Sequence, residues 1–125
     1  MTLTPTLQSA ADIVVKIGKV PSLNAFYAAK HWAMRKKAKD KFKAEILEQL
    51  ESYDKITFKS VSVKLEVNYR YDIDNTIMAC KFAMDAFKEW GGVQDDSPRY
   101  FKRLLIVQNT DLEADTAKII FSEPL

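Results

Sequence analysis

Between Val61 and Tyr69 every second residue is apolar: Val61, Val63, Leu65, Val67 and Tyr69 fall on one side, and Ser60, Ser62, Lys64, Glu66 and Asn68 on the other. A period of two is the signature of a strand with one face in a core and one in water. The segment Ile56 to Tyr71 is therefore predicted as one long half-exposed strand, and what covers its apolar face must come from the rest of the chain. Ala25 to Ser52 contains neither Gly nor Pro and is dominated by Ala, Lys, Glu, Leu and Met, which predicts one long helix burying Phe42, Ile46, Leu47 and Leu50. A second helix is predicted over residues 75 to 90, with Ile77, Cys80, Met84 and Phe87 spaced by three and four. Asp74 or Asn75 serves as its N-cap, and Gly91-Gly92 stops it.

Three more strands are expected. Asp12 to Lys19 is β-branched and ends at Val20-Pro21-Ser22; Arg103 to Val107 and Ala114 to Phe121 are joined across Asn109 to Glu113. The order strand, helix, strand, helix, strand, strand predicts an α+β fold, a mixed β-sheet with two helices packed on it, rather than a doubly wound sheet. A chain of 125 residues with 47% hydrophobic and 29% charged residues fits a single compact domain over 1–125, with Met1 to Ala11 a loose lead-in. No stretch approaches the length of a membrane span and no leader-like start is seen, so a soluble, cytoplasmic protein is expected. The lone Cys80 reads as a small core residue in a reducing compartment.

Charge is unevenly spread. Residues 30 to 43 hold seven of the 19 Lys and Arg against one acid, leaving twelve bases and sixteen acids elsewhere. Such a segment, with Lys30, His31, Arg35, Lys36, Lys37, Lys39 and Lys43, suits a phosphate backbone. Phe26, Tyr27 and Trp32 are placed either to stack on bases or to join the core. His31 has no second His with which to hold Zn²⁺, so it reads as a surface or phosphate-contact residue. A Gly-rich phosphate loop, a Ser-His-Asp set and a Cys-x-x-Cys pair are all missing.

Two acidic clusters stand out: Asp72 and Asp74 in Tyr-Asp-Ile-Asp-Asn, and Asp95 and Asp96 in Val-Gln-Asp-Asp-Ser-Pro. Crowded carboxylates repel unless cations hold them, and hard oxygen ligands suit Mg²⁺ or Mn²⁺. On a strand end, Asp72 and Asp74 would project to the same side, and the intervening helix could return the second cluster to the first. The plain alternatives are helix capping by Asp74-Asn75 and a solvated turn at Asp95-Asp96. Lys81 either points its ammonium at the acidic site or pairs with Asp85 one turn on.

Taken in order, Pro21-Ser22-Leu23-Asn24-Ala25-Phe26-Tyr27, Asp72-Ile73-Asp74-Asn75, Lys81, Asp85, Gly91 and Asp95-Asp96 resemble the RusA family of Holliday junction resolvases, over residues 13 to about 122. The resemblance implies a homodimeric, Mg²⁺-dependent endonuclease, often encoded by phages or prophages, that nicks opposed strands of a four-way DNA junction. Mn²⁺ is expected to substitute. It matches Asp72, Asp74 and Asp96 to catalytic, metal-holding aspartates and Lys81 to the active-site lysine. Asn75, Asp85 and Asp95 then have supporting roles, and Asn24 and Tyr27 join the basic residues in contacting DNA. The family lysine follows Asp-Asn by one helical turn, whereas Lys81 comes three residues later; counted back from Asp85 and Asp96 its spacing agrees. The other class of reading is a junction or single-strand DNA-binding protein without cleavage. Because two symmetric cuts need two sites, a twofold dimer is expected, with the apolar row of Ile56 to Tyr71 as the first choice of interface.

Overall fold

The computed structural model describes residues 12–28, 32–95 and 97–123, and within them the side chains of Leu23, Tyr27, Trp32 and Asp74 lie outside the description. The expectation for Met1 to Ala11 falls outside it too. The chain runs β1 (Ile13–Ile17), α1 (Leu23–Ala28), α2 (Trp32–Leu50), β2 (Val61–Val67), a 3₁₀ turn (Ile73–Thr76), α3 (Ile77–Trp90), β3 (Phe101–Gln108) and β4 (Ala117–Ser122). The fold is α+β, as expected: one mixed sheet in the order β1-β4-β2-β3, with α2 and α3 packed together on one face. Among the described residues, no helix is long and apolar enough to cross a membrane.

Alternation in three strands builds the floor of the core. Val15, Ile119 and Leu65 form one row across β1, β4 and β2, and Ile13, Phe121 and Val63 form the next; all six are buried. The helices supply the roof through Phe42, Ile46 and Leu50 of α2 and Phe82, Ala83, Ala86, Phe87 and Trp90 of α3. Phe87 lies flat on Phe121, with centroids 4.0 Å apart and planes within 5°, and also touches Phe58 and Trp90 at 5.8 Å each. A Cβ on Gly92 would stand 2.4 Å from the Phe87 ring. The glycine therefore lets the chain turn tightly over that ring after Gly91, which takes the left-handed conformation at φ 96° and sends its N–H to the Lys88 carbonyl.

Several expectations are corrected. The strand predicted from Ile56 begins only at Val61, because the Phe58 N–H and the Thr57 hydroxyl go to the carbonyls of Gly92 and Gly91, not to a neighbouring strand. Its apolar row, Val61 to Tyr69, is fully covered, so it offers no surface to a second chain. The long helix predicted over Ala25 to Ser52 is described as α1 and α2. It starts two residues early because Ser22 Oγ accepts the Ala25 N–H at 3.1 Å and the Ser22 carbonyl accepts that of Phe26. The expected succession of Arg103–Val107 and Ala114–Phe121 holds along the chain but not in the sheet. β2 lies between them, antiparallel to β4 and parallel to β3, with α3 as the crossover that a parallel pair requires. α3 itself begins at Ile77, and its N-cap position is Thr76, without a side-chain cap bond, one and two residues beyond the Asn75 and Asp74 expected there.

Cys80 is buried as expected, its thiol pushed up to about 12 by loss of solvent and donating weakly to Met84 Sδ at 3.4 Å. The most sensitive core position is Phe87. Phe87→Ala should cost about 3–5 kcal/mol in urea unfolding, and a loss below about 1 kcal/mol would show that the stack on Phe121 contributes little.

Candidate functional site

The first acidic cluster is positioned by two tyrosines. After β2 the chain leaves the sheet, and Tyr69 and Tyr71 stack with centroids 5.2 Å apart. Their hydroxyls donate to the Gly18 carbonyl at 2.6 Å and the Val20 carbonyl at 2.7 Å. These bonds fasten the approach to Asp72 against the turn that leads into Pro21-Ser22 and α1, and the 3₁₀ turn packs on α1. The Asp-x-Asp-Asn element and the Pro-Ser-x-Asn element, far apart in sequence, are thereby neighbours. Burial raises the Tyr71 phenol to about 12, the Asp115 charge adding to the effect, and pushes Tyr69 higher still.

Asp72 is exposed. Its carbonyl accepts the Asn75 N–H at 2.9 Å, while its carboxylate makes no capping bond. Thr76, fully buried, donates its hydroxyl to the Ile73 carbonyl at 2.5 Å and closes the turn. Strand alternation does not relate Asp72 to Asp74: β2 ends at Val67, and Asp74 lies within the 3₁₀ turn. Both residues precede α3 in the chain, on its N-terminal side, where the helix dipole favours negative charge.

Lys81 is exposed on the second turn of α3 and lines a cavity of about 360 Å³ with Phe26, Lys39, Met78, Phe82, Met84 and Asp85. A neighbouring cavity of about 370 Å³, bounded by Lys39, Lys43, Asp85, Lys88, Glu89 and Gln94, shares Lys39 and Asp85 with it. Together they form a groove along the α2–α3 seam, from Lys81 towards the second acidic loop. Asp95 reaches back to Lys88 at 3.6 Å, two turns beyond Lys81 on α3. A larger cavity, about 510 Å³, lies elsewhere, between Lys16, Glu45, Gln49, Glu113 and Lys118. None of the sequence-predicted site residues lines it, and Gln49 there is held by both backbone groups of Lys16.

The basic run is more internally neutralised than its sequence suggests. Lys39 and Lys43, one turn apart on α2, face Asp85 and Glu89, one turn apart on α3, at 3.3 and 2.7 Å. The hydrogen bond from Lys43 to Glu89 holds the Lys43 ammonium above its ordinary pKa. Lys36 bonds Asp40 at 2.6 Å. Asp85 is thus a rung between the helices, where the sequence offered Lys81 as its partner. Asn24 and Lys37 are exposed and Arg35 is half-buried. Asp96, Lys30 and His31, and the side chains of Asp74 and Tyr27, lie outside the described residues. Among the described residues, no three metal-ligating side chains gather.

Sequence reasoning missed the tethering role of Tyr69 and Tyr71. The only signal was Tyr-x-Tyr immediately before the first aspartate, and it reads as strand alternation. No family model matches this chain, and no curated protein matches it.

The tyrosine tether gives stability a sign in alkali. A phenol whose folded pKa is raised leaves stability intact below the unfolded value of 10.0 and loses it as pH rises through about 12. Urea midpoints should therefore fall between pH 9 and 11.5, and Tyr71→Phe should lower stability at pH 7 by about 1 kcal/mol while blunting the alkaline fall. An equally steep fall in that variant would remove Tyr71 from the account.

Proposed function

We propose that the protein is a metal-dependent, structure-selective DNA endonuclease of the Holliday junction resolvase type, acting as a twofold homodimer on four-way junctions. The observation that carries this reading is the convergence built by Tyr69 and Tyr71, which sets Asp72 beside the Pro-Ser-x-Asn turn. The Asp-x-Asp-Asn element, the specific part of the resemblance, and the supporting Pro-Ser-x-Asn element are neighbours although nothing in their separate patterns requires it. Lys81 on the helix that leaves this corner, and the groove running from it, supply a cationic path of the kind a phosphate backbone follows.

An all-carboxylate donor set, with Asp72 open to solvent, suits a hard divalent cation. Asp72, Asp74 and Asp96 are the residues assigned to hold Mg²⁺, with Mn²⁺ as a substitute. When bound, the ion would lower the pKa of a bound water and offset charge on the scissile phosphate. Lys81 is assigned to stabilise negative charge accumulating on that phosphate. The paired carboxylates Asp85 and Glu89 keep Lys39 and Lys43 oriented along the groove. Contacts of this kind set the position of the DNA and do not read its bases.

Nicking of a labelled four-way junction tests the proposal. Wild type should cut in Mg²⁺ and not in EDTA, and Asp72→Asn or Asp96→Asn should lower the rate at least 100-fold with junction binding unchanged or tighter. Wild-type nicking by either variant would refute the catalytic assignment. Junction binding by the wild type with no cleavage in Mg²⁺ or Mn²⁺ would identify the binding-only class instead. The ion pairs also set the expected salt dependence. Seven cations all meeting phosphate would give a log-log slope of roughly −6, but Lys36, Lys39 and Lys43 must each leave a carboxylate to reach phosphate. The slope should therefore be shallower, and Glu89→Gln, which frees Lys43, should steepen it. No change in slope for Glu89→Gln would show that Lys43 does not meet DNA.

A further inference from the structure

Among the described residues β3 is an open edge of the sheet, and it is apolar at its middle. Leu104 and Leu105 are 43% and 44% exposed, among the few exposed large hydrophobic residues in the described chain. Being consecutive on a strand, they point to opposite faces. Leu104 lies beside buried Val63, on the helix side, and Leu105 beside exposed Lys64, on the open side. A partner laid against either face would cover one leucine and leave the other wet. Only something added along the edge covers both, and a strand does so while also taking up the outward N–H and C=O groups of β3.

The charges on β3 indicate which strand. Lys102 and Arg103 stand at its beginning, Leu104 to Val107 follow, and it contains no acid. We propose that the edge is covered by β3 of a second copy of this chain, antiparallel, about a twofold axis through Leu105, so that the two sheets become one of eight strands. The inference supplies the contact surface for the homodimer proposed above and rests on that reading for its partner.

A twofold axis perpendicular to the sheet keeps the helix side of one copy level with the helix side of the other. Opposed residues must then share a face, so the axis passes through a residue and not between two. With the axis at Leu105, Leu105 meets its own counterpart, Leu104 meets Ile106, Arg103 meets Val107 and Lys102 meets Gln108. Moving the axis to Leu104 would set Arg103 against Leu105 and Lys102 against Ile106, in the apolar centre. A parallel pairing in register would oppose like cations directly, which is unfavourable. In the proposed register the cations of the two copies lie at opposite ends. Arg103 of each copy faces the row in which Val107 leads to Glu66, a carboxylate kept ionised to below its ordinary pKa by Asn109 and Lys64.

The opposite edge, β1, is a poorer partner. It has five residues, with exposed Lys16 among them, and pairing β3 of one copy to β1 of the next would be heterologous and lead to open filaments. A single strand pair covers less surface than a standard stable interface, so the dimer should dissociate on dilution.

Sedimentation of the full chain without DNA, across a concentration series, should show a monomer of 14.3 kDa going over to about twice that mass. Leu105→Lys, a change at an exposed site, should abolish the dimer while leaving the circular dichroism spectrum unchanged. So should Leu105→Glu, and an equimolar mixture of the two should restore it, because the axis sets each side chain against its counterpart. Leu105→Cys should form a covalent dimer under mild oxidation, since facing residues of an antiparallel pair stand at disulfide distance and Cys80 is buried. A dimer that survives Leu105→Lys, or a mixture that stays monomeric, would overturn the edge assignment while leaving the homodimer in place. A wild type monomeric at every concentration would overturn both.

Discussion

The ring of Phe87 is the packing contact on which the seating of α3 depends. It lies on Phe121 of β4, is closed over by the chain at Gly92, and borders Phe58 and Trp90. Because aromatic faces stack only over a narrow range of offsets, this one contact fixes how deep α3 sits on the sheet. With that depth go the level of the 3₁₀ turn at one end of α3 and of the Asp95 loop at the other. Gly92 is part of the same constraint: any side chain there would enter the volume of the ring, so the turn after α3 and the packing beneath it are set together.

The second constraint is polar. Tyr69 and Tyr71 carry the chain from the end of β2 to Asp72 with both hydroxyls engaged by backbone carbonyls of the β1–α1 connection. A buried carbonyl left without a donor is costly, so each bond serves both partners: the connection gains donors, and the tyrosines gain a reason to stay folded over. The corner is rigid for that reason, while the Asp72 carboxylate remains open to water. An acid that is held at its backbone and free at its oxygens is suited to a ligand that arrives from solvent.

Between the helices, two lysine–carboxylate rungs, Lys39–Asp85 and Lys43–Glu89, sit beside a groove and not within the core. Pairs exposed to this degree contribute little to stability, from nothing to about 1 kcal/mol each. Their effect is on direction: they hold long flexible side chains along the seam and reduce the field of a segment that looks strongly cationic in sequence. The edge of β3 is the reverse case. Its sequence, Phe-Lys-Arg-Leu-Leu-Ile-Val-Gln, reads as an ordinary buried strand, yet its place at the end of the sheet leaves two leucines in water.

The core was legible along the chain only in part: Leu47, Ile77 and Met84, expected to be buried, are half-buried, and Phe82, Ala86 and Trp90 of α3 are buried outside the expected stripe. Val63, Leu65, Val67, Phe42, Ile46, Leu50, Cys80 and Phe87 are buried as their spacing requires, because periods of two and 3.6 are local properties that survive any arrangement of neighbours. The acidic and basic clusters were legible for the same reason, as was the α+β class. What the tertiary structure alone decided was adjacency. Nothing local told β2 to stand between β3 and β4, since strand order depends on which crossover covers which face. Nothing local told Tyr69 and Tyr71 to fasten the approach to Asp72 onto the turn before α1, or Asp85 to answer Lys39 in place of Lys81. Those choices are made by contacts between residues distant along the chain, where the partner of a hydrogen bond or an ion pair is whichever group packing brings within reach.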